Sequence, residues 1–325
     1  MKHTKRIQFY DLLPLASLVI LAIVFGITSH GKLFSIFNLQ DICTQSIPVI
    51  IGGLGVMFVV AMGGCDLSVG AVAAVAATVG AYLGSMYGLA VMLIATLLIG
   101  LLSGILVGFL VARLHVSSFM VTLALLIALR GILNVLLVTW GQVYNPPGID
   151  VLSSFGPSVI LTVVLVILFG YLFENTSFGY YCKGMGENEN VVKSIGVNTI
   201  KVRRIAYILS GLTAAVMGLS LISNVGGSST TLGQFMEMKI QMAIFLGGVL
   251  VTGGMKSKIY KLILGSLSIT VIVNGLTLSG AGGGISELVE GILLMLILFM
   301  TLKTAGRTSK RKVSKEHAKI DSSAL

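Results

Sequence analysis

Asp66, Ser68, Arg130 and Asn134 are polar side chains set among residues that are almost all apolar. Asp66 and Ser68 belong to Met62-Gly63-Gly64-Cys65-Asp66-Leu67-Ser68-Val69-Gly70, which puts an acid and a hydroxyl between two long hydrophobic runs. The acid can accept backbone N–H bonds as the N-cap of the following helix, where its charge suits the positive helix end. It can equally mark a break at Gly63-Gly64 beside a polar path, since irregular backbone at membrane depth is tolerated only against protein or water. A cap at a break does both. Arg130 lies about 12 residues into its run from Ser118, roughly 18 Å deep at helical rise. At that depth it faces the bundle interior, lining a path or pairing with a partner, or it snorkels outward. Asn134, one turn on, shares its helical face.

A second group lies in the polar stretch from Gly184 to Val197. Asn188 can cap a short helix, Glu189 suits its first turn, Val191, Val192 and Ile195 make an apolar stripe, and Gly196 can close it. Such a helix either lies on the membrane surface or offers its stripe, flanked by Glu187 and Glu189, to a cytosolic partner. The cluster Lys201, Arg203 and Arg204 that follows suits either role.

Catalytic patterns are missing. The chain has no GxxxxGK[ST] loop, HExxH, CxxC or GxSxG, and its four histidines are dispersed. Cys43, Cys65 and Cys182 have no metal or redox spacing and read as small packing residues. Gly280 to Gly284 follows an apolar helix rather than a strand, so it reads as a flexible turn and not a nucleotide loop. No catalytic residue, metal or cofactor is expected.

The elements that must position these groups are membrane helices. With 325 residues, 55% hydrophobic, 10% charged and a mean hydropathy of +1.00, the chain cannot be a water-soluble fold. Apolar runs recur at Leu12 to Thr28, Ile42 to Met62, Leu67 to Met86, Leu89 to Ala112, Ser118 to Val138, Pro157 to Phe173, Ile205 to Ser223, Ile240 to Thr252, Ile259 to Ser279 and Ile285 to Leu302. The expected architecture is therefore all-α, a polytopic transmembrane helix bundle of about 10 spans. Its parts are a cytoplasmic N-terminus (1–11), a transmembrane domain (12–302) with a cytoplasmic loop (174–204), and a basic cytoplasmic tail (303–325) attracted to membrane lipid. That topology puts 19 of the 22 Lys and Arg inside, leaving Lys32 and Lys239 outside and Arg130 within a span. The net charge of +10 thus reports orientation, and no nucleic-acid partner is expected. Gly100, Gly104 and Gly108 form a small-xxx-small pattern for close helix packing.

Four blocks resemble the permease subunits of ribose-type sugar ABC importers, and the resemblance runs from about Asn38 to Leu302. They are Gly63 to Gly70, against a family GGIDLSVG; Ser117 to Gly131, against SFIVTLGT followed by ARG; Phe178 to Asn198; and the stretch from Tyr207. The resemblance implies a subunit in the bacterial inner membrane that transports a monosaccharide or related solute. It also implies three partners: cytosolic ABC ATPase subunits, an extracellular solute-binding protein, and a second permease subunit, identical or related. It makes Gly184 to Val197 the ATPase-coupling helix, with Glu187, Glu189, Val191, Val192, Ile195 and Gly196 at the contact. Two departures stand out: Cys65 replaces the usual Ile, and lysines occupy Lys256, Lys258 and Lys261 where glycines are usual. The competing class, an ion-gradient-driven secondary transporter, would usually place carboxylates at mid-membrane for coupling. A membrane-embedded enzyme would need a nucleophile and base that the chain does not supply.

Overall fold

The computed structural model describes residues 9–293 with 295, 296 and 299, and side chains from 14 onward. Long apolar stretches leave backbone hydrogen bonding nowhere to go but along the helix axis. Ten named helices result: α1 (Phe9–Thr28), α2 (Ile36–Ala61), α3 (Val69–Tyr87), α4 (Leu89–Arg113), α5 (Ser118–Trp140), α6 (Phe155–Asn175), α7 (Ser177–Ser194), α8 (Thr199–Val225), α9 (Met236–Leu246) and α10 (Ile259–Leu278). Residues 283–293 are also helical. Among the described residues no strand occurs, and a single antiparallel bridge joins Tyr144 to Gly227.

Seven helices, α2 to α6, α8 and α10, are long and apolar enough to cross a membrane. Every apolar run meets a helix, yet not every helix spans. The eighth run becomes α9, whose 11 residues rise about 16 Å, half of a hydrocarbon core of about 30 Å. After Leu246 the backbone is largely non-helical until Ile259. α9 is a half-helix, and the chain before it, 226–235, turns back from the end of α8 without regular structure.

The core gathers on α2, buried from Ser46 to Ala61 and packed against α8, α10, α6 and α9. α4 lies on α8 with little between them. A Cβ added at Gly100, Gly104 or Gly108 would meet the carbonyls of Gly211, Tyr207 and Arg204 respectively, which is the close approach the small-residue spacing predicts. α4, α5 and α6 leave wide apolar faces outward.

One expected loop is largely helical, and a second is shorter than expected. The 174–204 stretch forms α7, capped by the Thr176 hydroxyl, which accepts the Gly179 N–H, and α8 already begins at Thr199. Lys201, Arg203 and Arg204 therefore lie in the first two turns of α8 rather than in a loop cluster. The stretch Asn224 to Lys239, expected to be an external loop, ends early, because α9 starts at Met236 and Lys239 pairs from it with Glu290 at 3.5 Å. The tail 303–325 lies outside the described residues.

Candidate functional site

α2 stops at Ala61, Gly63 turns the chain at φ 74°, and α3 starts at Val69, so the break falls at the paired glycines. Ser68, not Asp66, occupies the N-cap position. Asp66 works one step upstream: its Oδ1 accepts the Ser68 N–H at 3.0 Å and the Ser68 hydroxyl at 2.7 Å, an Asx turn that orients the start of the helix. Its Oδ2 accepts the Ser210 hydroxyl from α8 at 2.7 Å. The backbone around it is held as well. The Cys65 N–H donates to Ser118 Oγ at 3.2 Å, and the Tyr207 hydroxyl donates to the Cys65 carbonyl at 3.4 Å. A cavity of about 10 Å³ between α3, α4 and α8 is lined by Asp66, Ser103, Tyr207 and Ser210, room for one water. The break falls where the sequence placed it, but Asp66 braces the cap residue instead of being the cap.

Arg130 turns inward. Its Nη1 donates to the Leu232 carbonyl at 2.7 Å and its Nη2 to the Gly233 carbonyl at 2.6 Å, so it holds the returning segment 226–235 by two adjacent peptide oxygens. The carboxylate of the buried Glu237, in the first turn of α9, lies against Gly70 together with the Gly233 carbonyl that Arg130 binds. Asn134 takes no part; its side chain is exposed on the outer surface of α5.

α7 is two helices in sequence. Asn188 has φ −165° and ψ 105°, and its Oδ1 accepts the N–H groups of Asn190 (3.0 Å) and Val191 (3.4 Å), capping a short second helix as its position predicts. The apolar stripe divides. Val191 and Ile195 are 57% and 67% exposed, whereas Val192 is buried toward Gly184. Glu189 binds Lys193 at 3.1 Å and Arg203 of α8 at 2.7 Å. Burial works against its ionisation, but these cations prevail and hold its carboxyl below the usual carboxylate range. Glu187 Oε1 accepts the Met255 N–H at 3.4 Å, and Gly196 turns the chain at φ 83°. Beside this turn a groove of about 410 Å³ is lined by His115, Glu189, Lys193, Asn198 and Arg203.

The bundle thus holds an acid–hydroxyl cluster at a helix break, an arginine pinning the irregular segment before a half-helix, and a kinked helix at one end. Residues 38–299 match the family described as branched-chain amino acid transport system / permease component. The chain belongs to this permease family. Among its relatives, the galactofuranose transporter permease protein of Escherichia coli is 32% identical over 283 residues, covering 84% of this chain and 82% of that one. The fructose import permease protein of Rhizobium meliloti is 31% identical, covering 87% and 82%. The ribose import permease protein of Bacillus subtilis is 30% identical, covering 92% and 96%. No solved structure matches the chain. The permease is thus a multi-pass inner-membrane component of an ABC importer and not itself an enzyme, with ATPase and binding-protein partners in general.

Some of the permease's polar framework escapes a linear reading. Glu174, at the end of α6, accepts Lys183 at 3.3 Å, Lys258 at 2.8 Å and the Ile259 N–H at 3.1 Å, tying α6, α7 and α10 together. Lys183 is nearly fully buried, 4.4 Å from the Phe173 ring centroid. Burial pulls its pKa below the usual lysine value although Glu174 opposes this. One of the departing lysines, Lys258, therefore has a structural task. Ser210 and Tyr207, three residues apart on α8, were also signalled only by spacing, and Glu237 and Gln241 by the polar i, i+4 pair they make in a half-helix whose other polar residue is Lys239.

Proposed function

We propose that this chain forms the translocation path for a monosaccharide in an ATP-driven importer. It does so with a second permease subunit, cytosolic ABC ATPase subunits that drive it and an extracellular solute-binding protein that delivers the sugar. The relatives named for galactofuranose, fructose and ribose support the solute class. The observation that carries the coupling role is the capped turn after Asn188, which projects Val191 and Ile195, two apolar side chains one helical turn apart, from the bundle end. Two exposed aliphatics beside Glu187 and Glu189 suit an apolar socket with a polar rim. The α7 end is then cytoplasmic, with both termini, a reading that the distribution of Lys and Arg supports. Asp66, with both oxygens engaged by Ser68 and Ser210, offers little to the ion-gradient alternative.

The test is a charge on the exposed face. Val191→Asp or Ile195→Asp puts a carboxylate against an apolar socket, at a cost of several kcal/mol, while the side chain stays in water in the free permease. Either variant should insert and fold normally yet lose co-purification with the ATPase and sugar-stimulated hydrolysis. Full stimulated hydrolysis and uptake in both variants would show that this turn is only a surface helix. Val192 cannot serve here, because a charge at that buried position would damage the permease itself.

A further inference from the structure

α9 carries two acceptors that the fold leaves unused. Glu237 and Gln241 are each only 5% exposed, and Glu237 Oε2 and Gln241 Oε1 have no hydrogen-bond partner among the described residues. Four residues apart, they share one helical face. Buried acceptors without donors are costly, and each in a native fold calls for an explanation.

Their setting narrows it. α9 is a half-helix between two irregular stretches, and the second of these meets the α2–α3 break, where the Gly254 N–H donates to the Ala61 carbonyl at 3.0 Å. Gln241 Nε2 points at Cys65 Sγ, 3.5 Å away, in that same break. Glu237 lies against the first turn of α3, where a Cβ on Gly70 would overlap its carboxylate and the Gly233 carbonyl. Non-helical backbone at membrane depth is tolerated where it is buried in protein or lines a polar cavity, and discontinuous helices are where transporters hold solutes.

We propose that Glu237 and Gln241 form a hydroxyl-accepting subsite for a neutral polyhydroxylated solute passing through the permease, an inference that rests on the importer reading above. The charges select the class. Arg130 has two N–H groups committed to the Leu232 and Gly233 carbonyls, and the Gly233 carbonyl lies against Gly70 together with the Glu237 carboxylate. A cation would meet that guanidinium and an anion would meet the carboxylate, whereas a neutral polyol supplies the donors that both free acceptors lack. In the described conformation Gly70 closes against the carboxylate, so the subsite is shut, and it opens when α9 moves away from α3 during the transport cycle.

The experiment uses the assembled importer, reconstituted with its ATPase and binding protein, with Cys43, Cys65 and Cys182 replaced by Ser. Glu237→Cys and Gln241→Cys are treated separately with a membrane-impermeant methanethiosulfonate, with and without ATP, using D-ribose, D-fructose and D-galactose in turn as the solute probe. Ala243→Cys, on another face of α9 and fully buried, is the control. Modification at 237 and 241 during turnover, at least tenfold faster than without ATP and slowed by the sugar that is taken up, is the expected result. No modification at either position in an importer that still takes up sugar overturns the subsite. If the Cys variants fail to assemble, Glu237→Gln decides. It exchanges an acceptor for a donor and should raise the KM for uptake about tenfold, and an unchanged KM overturns the proposal. Absence of ATP-driven uptake in the Cys-less parent would instead count against the importer reading.

Discussion

At the scale of single residues, Arg130 shows how a charge at membrane depth is made tolerable. Two neighbouring carbonyls take N–H groups of the half-buried guanidinium, so it is anchored inward instead of snorkelling to the surface. The planar guanidinium suits two acceptors one residue apart, a geometry that an ammonium cannot match. Arg130→Ala leaves the Leu232 and Gly233 carbonyls without their donors and takes the guanidinium charge away from the neighbourhood of Glu237, and should cost about 1–3 kcal/mol for each carbonyl, read as a lower midpoint of thermal unfolding in nanodiscs. Arg130→Lys should fall between the two. Adding Glu237→Gln to Arg130→Ala should recover part of the loss, because the orphaned charge is then gone; no recovery would mean that the two side chains do not compensate each other.

At the scale of elements, the ends of α6, α7 and α10 meet at Glu174. Its carboxylate joins Lys183 of α7, Lys258 before α10 and the first N–H of α10, while Glu187 of α7 accepts Met255 just upstream. A displacement of the α7 turn is thereby passed to the base of α10 and to the end of α2, since a Cβ on Gly186 would strike the Ala61 carbonyl. Glu174→Lys gathers three cations and should destabilise the fold by about 1–3 kcal/mol. Glu174→Lys with Lys258→Glu should regain part of that, which a double-mutant cycle on unfolding midpoints would measure. Zero coupling would reduce the contact to incidental proximity.

For the whole molecule, the decisive question is which end faces the cytoplasm. α7, the start of α8 and the turn between α4 and α5 cluster at one end, and Arg113, Lys193, Lys201, Arg203 and Arg204 lie on these segments. The positive-inside rule assigns that end to the cytoplasm. In a Cys-less background, an impermeant maleimide applied to intact cells should label a cysteine at the exposed Ser154, in the segment before α6, and not one at Ser309. The opposite pattern would invert the topology and remove the coupling role from α7.

Composition and apolar run length alone determine that the chain is a helical membrane protein, because lipid offers no partner to unpaired backbone and only long apolar helices can cross it. The break at Gly63-Gly64 and the cap at Asn188 were legible for the same local reason: glycine and Asx chemistry act within three residues. Other features required the folded chain. Periodicity places Val191, Val192 and Ile195 on one stripe, but only the packing of α7 decides that Val192 turns inward toward Gly184. Apolar character makes Ile240 to Thr252 look like a span, whereas the structure uses its first half as α9 and leaves much of the rest irregular. Pairings across 84 residues for Glu174 and Lys258, or 102 for Arg130 and Leu232, have no local signature. They arise because burial in a bundle obliges each polar group to find a partner, and tertiary packing alone decides which groups come within reach.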